Sequence, residues 1–369
     1  MQKFRDGKPG YILILTLMMM ALGTAIVTKL YYQTTSYVPV ADLVVKREKA
    51  KLLALGGVQM VISRLTGPQQ PKNGLTSEPE DSAKRLPQAV FLERVLPTLN
   101  RWDLVVLQED VDGLDGEVKI CLMCEDGKIN LNQWYDFTKY EFKGASKAKL
   151  GVEQSETGMG VLLEILFNKL GEITKDQVEP KVMLRELENF LAERKQPLYD
   201  LTELLTLPSW QYFQNYQFYL PPGDSNDESS LKQRPIYLTD LFTTYGASLQ
   251  VQPWLFSDAL LAVLGFARAR SDDIIKREQA VAGWTKQFTA QMQWPADWGK
   301  TLGLMYGVDL SNLPKGVVEV FDPSFKPQFF SVRSEGKIGQ VTQGLYAIIK
   351  KLPQPKDGVQ YAVEKLYWI

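Results

Sequence analysis

Two cysteines set three positions apart, Cys121 and Cys124, are the residues whose spacing points most directly to chemistry. A zinc site needs further cysteine or histidine ligands, and the chain has neither. A redox pair usually opens a helix, whereas an acidic turn follows Cys124. Two interpretations stay open. One is a disulfide in an oxidising compartment, which requires a bend because residues i and i+3 of a straight strand are about 10 Å apart. The other is two buried thiols.

Two acidic stretches carry enough oxygen atoms to suggest calcium. They are EDVDGLDGE at 109–117 and GDSNDESS at 223–230. Neither has the EF-hand spacing, in which alternating ligands are followed by a glycine and a distal glutamate. The candidate calcium ligands in the second stretch are Asp224, Asn226, Asp227 and Glu228. The alternative for both stretches is an acidic loop in solvent.

The composition argues against most kinds of catalytic centre. The chain has no histidine, which removes the commonest general base and the Ser-His-Asp arrangement. Ser-x-x-Lys occurs at 146–149 and 229–232, but no Ser-Asp-Asn or Lys-Thr-Gly accompanies it. We therefore predict no catalytic residue, although a carboxylate pair for glycoside hydrolysis stays open. The formal net charge of −1 predicts no nucleic-acid partner.

A long apolar run lies near the start of the sequence. The residues from Tyr11 to Val27 carry no charge, and at about 1.5 Å per residue they can cross most of a bilayer core. Basic residues precede the run and Lys29 follows it, so the charge distribution predicts a single span at 11–29 with a cytoplasmic N-terminus. A cleaved secretion signal and a plain uncleaved anchor are the alternatives.

Beyond the span, the helix is predicted to continue to Thr66. Small and apolar residues recur there at helical spacing, and they are Ala50, Ala54, Val58, Val61 and Leu65. Further helices are predicted within 157–210, including one at 201–207, and at 254–267 and 272–289.

Strands are predicted on both sides of this helical block. Two short apolar runs within 102–131, separated by an acidic turn, predict a hairpin. Three runs near the C-terminus predict an antiparallel meander, and they are PQFFSVRS, GQVTQGLYAIIKK and DGVQYAVEKLYWI. Together these patterns predict an α+β fold, in which a long N-terminal helix packs on an antiparallel sheet and a large, mainly helical insertion interrupts the sheet.

The leader MQKFRDGKPG, which ends in Gly10 at the start of the apolar run, resembles the signal of type IV pilins and type II secretion pseudopilins. The resemblance implies cleavage after Gly10 by the prepilin peptidase, with Tyr11 as the first mature residue and the site of N-methylation. Most such subunits have Glu at mature position five, where this chain has Leu15. Because a carboxylate in hydrocarbon is costly unless paired, Leu15 indicates a subunit with no neighbour to supply the pair. In this respect the chain is similar to the general secretion pathway protein K family, large minor pseudopilins of the filament tip.

Four further segments resemble the same family. They are EDGKINLN at 125–132, YDLTELLTLP at 199–208, TYG and LQVQP within 244–253, and FFSV with its Glu-Gly-Lys turn within 329–337. We interpret 125–132 as structural, because Asp-Gly makes a turn and the two Asn side chains can bind backbone groups beyond it.

The resemblance implies a domain organisation. The leader is 1–10, the transmembrane helix 11–29, and the pilin-like domain 30–145 and 236–369, with the helical insertion domain at 146–235. It also implies that the chain lies in the inner membrane with the bulk of the chain in the periplasm.

The implied function is a non-catalytic minor pseudopilin that initiates the pseudopilus and helps protein export. The implied partners are the other minor pseudopilins, the major pseudopilin, the prepilin peptidase, the inner-membrane secretion platform and the exported proteins. Calcium binding in the family favours the stretch at 223–230 as a site. The alternatives are a minor pilin of a type IV pilus or competence system, and a membrane-anchored envelope hydrolase.

Overall fold

The computed structural model describes residues 9–66, 95, 98–142, 158–173, 179–218, 236–246, 248–264, 311, 313, 315–322, 326–356 and 359–369. In chain order the helices are α1 (Pro9–Thr66), α2 (Glu109–Asp112), α3 (Leu131–Trp134), α4 (Gly158–Ile173), α5 (Pro180–Arg194), α6 (Leu238–Leu241), α7 (Asp258–Val263) and α8 (Lys315–Val318). The strands are β1 (Trp102–Leu107), β2 (Gly116–Cys124), β3 (Ile129–Asn130), β4 (Tyr135–Asp136), β5 (Glu141–Phe142), β6 (Phe242–Thr243), β7 (Phe329–Ile338), β8 (Val341–Lys356) and β9 (Val359–Trp368). Short 3-10 helices lie at Glu125–Gly127, Leu201–Thr206, Pro208–Gln214 and Pro253–Leu255.

Five strands form one antiparallel sheet in the order β1-β2-β7-β8-β9. The predicted hairpin is β1-β2 and the predicted meander is β7-β8-β9, so both predictions are confirmed. β2 and β7 are neighbours in the sheet, from Glu117 opposite Lys337 to Cys124 opposite Phe330, although most of the chain's helices lie between them in sequence. The predicted α+β fold, with a helical insertion inside the sheet, is therefore confirmed.

The second half of α1 packs on one face of this sheet. The predicted apolar stripe is confirmed, because its five members are at most 2% exposed: Ala50, Ala54, Val58, Val61 and Leu65. All but Ala50 belong to one hydrophobic cluster with the inward side chains of the strands, among them Val118, Ile120 and Val332. Helix and sheet approach closely at Gly336, where a Cβ atom would lie 2.1 Å from the carbonyl oxygen of Ala50.

Segments of the chain between β2 and β7, which is called the insertion from here on, cover part of the opposite face of the sheet. A small cluster there joins Cys121 and Met123 of β2 and Tyr346 and Ile348 of β8 to Tyr237, which lies just before α6. The main core of the insertion surrounds Trp210, whose ring contacts Phe167 of α4 and Phe242 of β6. This core forms one hydrophobic cluster with the residues between α1 and the sheet, whereas the cluster on the opposite face is small.

The helices of the insertion depart from the predictions in their details. The predicted helix at 201–207 is a 3-10 helix ending at Thr206, and a second 3-10 helix begins at Pro208. The predicted helix at 254–267 is in the structure the shorter α7, which begins after Ser257, whose side chain accepts a hydrogen bond from the Leu260 N–H at 3.1 Å. The predicted helix at 272–289 lies outside the described residues, as do the predicted insertion bounds at 146 and 235.

Candidate functional site

The first candidate site is the exposed half of α1, defined here as residues 11–45. Every described side chain in this range is exposed to solvent. Large apolar residues are frequent on all sides of the helix, for example Met20 at 72%, Tyr32 at 70% and Val40 at 59% exposure. Soluble monomers rarely expose contiguous apolar surface on this scale, so such a surface indicates contact with a membrane or with another protein. By length and composition, one helix among the described residues could cross a bilayer, and it is this one.

The threonine hydroxyls of the exposed half form hydrogen bonds within the helix. The hydroxyl of Thr24 donates to the carbonyl of Met20 at 2.9 Å, and that of Thr28 donates to Thr24 at 2.7 Å. Thr16, Thr34 and Thr35 likewise donate to carbonyls three or four residues earlier. A helix in hydrocarbon must satisfy its polar groups internally, and these bonds meet that requirement.

The residues predicted to matter for processing lie at the start of this half. Gly10 is part of α1, and Tyr11 is 71% exposed. Leu15 is 46% exposed, so its neutral side chain lies on the outer surface of the helix.

The second candidate site is the junction at 125–132, where the EDGKINLN segment connects the sheet to the insertion. Lys128 forms a buried ion pair with Glu125, with side chains 0% and 2% exposed. The Lys128 ammonium also donates to the Ser331 hydroxyl of β7 at 3.2 Å. The Thr243 hydroxyl of β6 donates to the second carboxylate oxygen of Glu125 at 2.5 Å. Charges this deeply buried persist only when their hydrogen bonds are satisfied, and this pair has partners from both sides of the junction.

Asp126 fixes the start of β7. Its carboxylate accepts hydrogen bonds from the backbone N–H groups of Gln328 at 2.7 Å and Phe329 at 3.0 Å. Burial raises the pKa of Asp126 to about 6, although the two backbone N–H groups oppose the shift. Its backbone carbonyl accepts from the N–H of Gln252 at 2.9 Å, which ties a third segment to the same turn.

The two asparagines bind backbone groups of the insertion, as the sequence predicts. The amide of Asn130 donates to the carbonyls of Tyr245 and Gly246 at 2.9 and 3.1 Å. Asn132 forms a reciprocal pair with Leu198, donating to its carbonyl at 2.8 Å and accepting from its N–H at 2.7 Å. These bonds show that the segment joins distant parts of the chain.

A polar cluster between the insertion and β9 has no counterpart in the sequence predictions. The carboxylate of Asp200 accepts from Lys365 Nζ at 2.9 Å and from the hydroxyl of Tyr367. Burial raises the pKa of Asp200, but hydrogen bonds from Thr202, Tyr367 and Lys365 outweigh it and lower the pKa overall. Part of this cluster is visible in sequence, because Asp200 and Glu203 form a capping box at the start of a 3-10 helix. Its partners on β9 lie far along the chain and give no local signal.

The two cysteines are free, buried and directed to opposite faces of the sheet. Cys121 belongs to the cluster under the insertion, whereas Cys124 belongs to the core on the α1 side. The register of β2 against β7 is continuous from Glu117 to Cys124, so the bend that a disulfide requires is absent there. Both side chains are buried, Cys121 at 0% and Cys124 at 1% exposure. Burial raises the pKa of both thiols well above the ordinary value, which disfavours the reactive thiolate.

Of the two acidic stretches, the structure describes the first, at 109–117, and not the second, at 223–230. The first contains α2, whose side chains are exposed, and Gly113 in the left-handed conformation that ends it. No group of three or more Cys, Asp or Glu side chains placed to hold a metal occurs within the described ranges. The predicted calcium ligands Asp224, Asn226, Asp227 and Glu228 lie outside those ranges.

Comparison with known proteins gives matches among solved structures. No protein-family profile matches the sequence, and no curated protein matches it. Among solved structures, the chain is similar to a chain of the GspK-GspI-GspJ complex from the type 2 secretion system of enterotoxigenic Escherichia coli. The identity is 14% and the TM-score is 0.39, with 91% of this chain and 99% of that chain covered.

Proposed function

We propose that the chain is a non-catalytic minor pseudopilin of the K type, which lies in the inner membrane and initiates a short periplasmic filament for protein export. The observation that carries the proposal is the division of α1. One continuous helix presents an apolar surface on all sides over residues 11–45 and then packs its small-residue stripe on an antiparallel sheet. A membrane-anchored filament subunit needs both parts, because the first must contact lipid and neighbouring helices while the second holds the globular body.

The tip position is proposed from Leu15 and from the insertion. Leu15 needs no counter-charge in the membrane, unlike a glutamate at the same place. The insertion adds a second core, around Trp210, to the body that α1 and the sheet form, and this bulk is hard to repeat along a thin filament. The alternative as a minor pilin of a type IV pilus differs from this proposal in the partners rather than in the architecture.

The non-catalytic role is supported by the use of the buried polar groups. The buried carboxylate of Asp126, whose pKa burial raises to about 6, binds two backbone N–H groups and joins three segments. The ion pair of Glu125 and Lys128 is closed by Thr243 and Ser331. These interactions stabilise the junction and leave these groups no site at which substrate could bind.

The experiment that tests the proposal is the intact mass and N-terminal sequence of the protein isolated from its own membrane. We expect a start at Tyr11 with an added methyl group, and we expect Gly10→Ala to abolish this processing. Gly23→Ala is the matched control, because a Cβ atom at Gly23 meets no atom within 4 Å and the substitution lies inside the same helix. Processing that continued in Gly10→Ala, or that stopped in Gly23→Ala, would contradict the pilin-like assignment and favour an ordinary secretion signal.

The tip role has a separate test. Deletion of the gene in the native host should reduce export of the type II substrates, and a cross-link from residue 15 should form with minor pseudopilins in preference to the major one. Normal export without the protein, or equal cross-linking to the major subunit along the filament, would contradict initiation at the tip.

A further inference from the structure

The strand β1 has an open edge. β1 lies at one end of the sheet and pairs with β2 alone among the residues that the structure describes. In an antiparallel pair only alternate residues bond to the partner strand, so other N–H and C=O groups of residues 103–107 face outward. A row of such groups is a template on which another extended chain can pair.

The side chains of β1 make this edge apolar. Leu104 and Val106 are 55% and 58% exposed on the face opposite α1, while Val105 and Leu107 pack against the core on the α1 side. Val111, in the following turn, is 78% exposed. The strand, WDLVVL, has no Lys, Pro or Gly, and its single charged residue, Asp103, is paired with Arg64 of α1.

The opposite edge of the sheet, at β9, differs from β1 in the regularity of its pairing and in carrying a lysine. β9 has irregular pairing with β8 between Ile348 and Ile349 and again after Lys351. It also carries charged residues, and its Lys365 is bound to Asp200 of the insertion. The contrast shows that the open edge of β1 is not a general feature of this sheet.

Charge at the end of β1 indicates what could pair there. α2 follows the strand after Gln108, and the Asp112 carboxylate accepts a hydrogen bond from the Gln108 N–H at 2.9 Å, which holds the turn against the strand end. Four exposed acidic residues lie in and just after this turn: Glu109, Asp110, Asp112 and Asp115. Residues 102–116 include no Lys or Arg. A partner with basic residues at the adjoining end complements this charge, whereas an acidic partner is repelled.

We propose that the open edge of β1 binds an extended segment of another protein by strand addition, and that this segment has apolar residues at alternate positions and Lys or Arg at the end nearest α2. Main-chain hydrogen bonds would supply much of the affinity, and Leu104 and Val106 would contact the alternate apolar side chains. The proposed function rests on α1, whereas this surface is formed by β1. The inference therefore goes beyond the proposed function and does not depend on it.

The first test is photo-cross-linking of the full chain in its native envelope. A benzophenone amino acid at position 104 should give an adduct with another protein, mapped by mass spectrometry to an extended segment that carries Lys or Arg. The same probe at Val363 of β9, which is 39% exposed, is the matched control. An adduct with a second copy of this chain, with lipid, or with an acidic or helical segment would overturn the proposal, as would a yield equal to that at position 363.

The second test measures binding directly. The probe is a synthetic peptide, Lys-Val-Thr-Val-Thr-Val-Lys, compared at low salt with the same peptide carrying Glu in place of Lys, on the detergent-solubilised full chain. We expect at least tenfold tighter binding of the basic peptide, and at least a tenfold loss in the variant Val106→Lys. The double variant Asp110→Lys and Asp115→Lys should reverse the preference. Equal binding of the two peptides, or binding unchanged in Val106→Lys, would overturn the proposal.

Discussion

The two halves of α1 are built from similar apolar residue types, but this chain buries only one of them. In the second half the buried apolar and small residues lie on a single face, which is closed by the sheet, while Leu52 on the other side is 67% exposed. In the exposed half they occur on every side, and Leu43 at 56% and Val38 at 61% exposure have no cover from this chain. The difference shows that the second half is adapted to one fixed surface, whereas the first is adapted to surroundings that are apolar in all directions.

The side chains that the second half of α1 turns toward the sheet are smaller than those on the surface of the exposed half. Ala50, Ala54 and Gly57 let the helix backbone approach the sheet closely, and a Cβ atom at Gly57 would lie 2.2 Å from Ser334 Oγ. The exposed half carries longer residues such as Leu13, Met18 and Tyr31. Long side chains fill an irregular or fluid environment, whereas small ones allow a fixed backbone contact.

The largest expected effect comes from truncating a leucine in each half. Leu65→Ala should lower the free energy of unfolding by about 2–5 kcal/mol, because Leu65 is 1% exposed and its loss leaves a cavity in the core. Leu43→Ala is the matched control and should change stability by less than about 0.5 kcal/mol. Thermal unfolding of the detergent-solubilised protein, followed by tryptophan fluorescence, measures both. Similar losses for the two variants would mean that the exposed half is packed by the chain itself.

A second prediction uses pH to separate the packed body from the exposed half. The pKa of Asp126 is raised from 3.8 to about 6, so the folded protein holds this proton more tightly than the unfolded chain. The stability from the protonated form is therefore complete below about pH 4 and is lost as the pH rises to about 6. The loss attributable to Asp126 is roughly 3 kcal/mol, at about 1.4 kcal/mol per pKa unit.

The measurement is the unfolding free energy at pH 4 and pH 7 for the native chain and for Asp126→Asn. The native chain should lose roughly 3 kcal/mol more than the variant over this range, since the amide does not titrate. Asp115→Asn, at an exposed position in the turn before β2, should follow the native chain. A parallel pH dependence in the native chain and Asp126→Asn would contradict a raised pKa for Asp126.

The packed half of α1 was predictable from sequence because one local pattern determines it. The five residues of the predicted stripe, from Ala50 to Leu65, recur at helical spacing, and all five are buried in the structure. The strands were predictable for the same reason, since alternation and turn residues are local signals. The roles of Asn130 and Asn132 followed from their position after an Asp-Gly turn, although their partners Leu198 and Tyr245 did not.

What the sequence did not reveal depends on contacts between distant segments. The partners of the ion pair, Thr243 and Ser331, lie 118 positions after Glu125 and 203 positions after Lys128. The tie between Asp200 and β9 joins residues 165 and 167 positions apart. The spacing of Cys121 and Cys124 likewise does not reveal whether the strand bends between them. The continuous pairing of β2 with β7, which is a contact between distant segments, shows that it does not.

A third prediction tests the close approach of α1 to β7. Gly336→Ala should lower stability by about 1–3 kcal/mol, because the new Cβ atom would lie 2.1 Å from the Ala50 carbonyl oxygen and 2.8 Å from the Ala54 nitrogen. Both neighbours are backbone atoms of the helix, so a side-chain rotation cannot relieve the clash. Hydrogen exchange of the amides at 50–61 should also become faster in this variant. Unchanged stability and exchange would show that the helix does not lie this close to the strand.

The smallest effect is expected on the outer side of the packed half, at Gly56. A Cβ atom there meets no atom within 4 Å, whereas at the adjacent Gly57 it meets Ser334 and Val118. Gly56→Ala should therefore raise the free energy of unfolding by about 0.5–1 kcal/mol, through the better helix propensity of alanine. Gly57→Ala should lower it, because the buried side needs the space. Thermal unfolding of the two variants side by side measures the difference. If both substitutions destabilised the isolated chain, the outer side of α1 at Gly56 would be in contact with part of the chain itself, and the contrast between the two faces of the helix would be wrong.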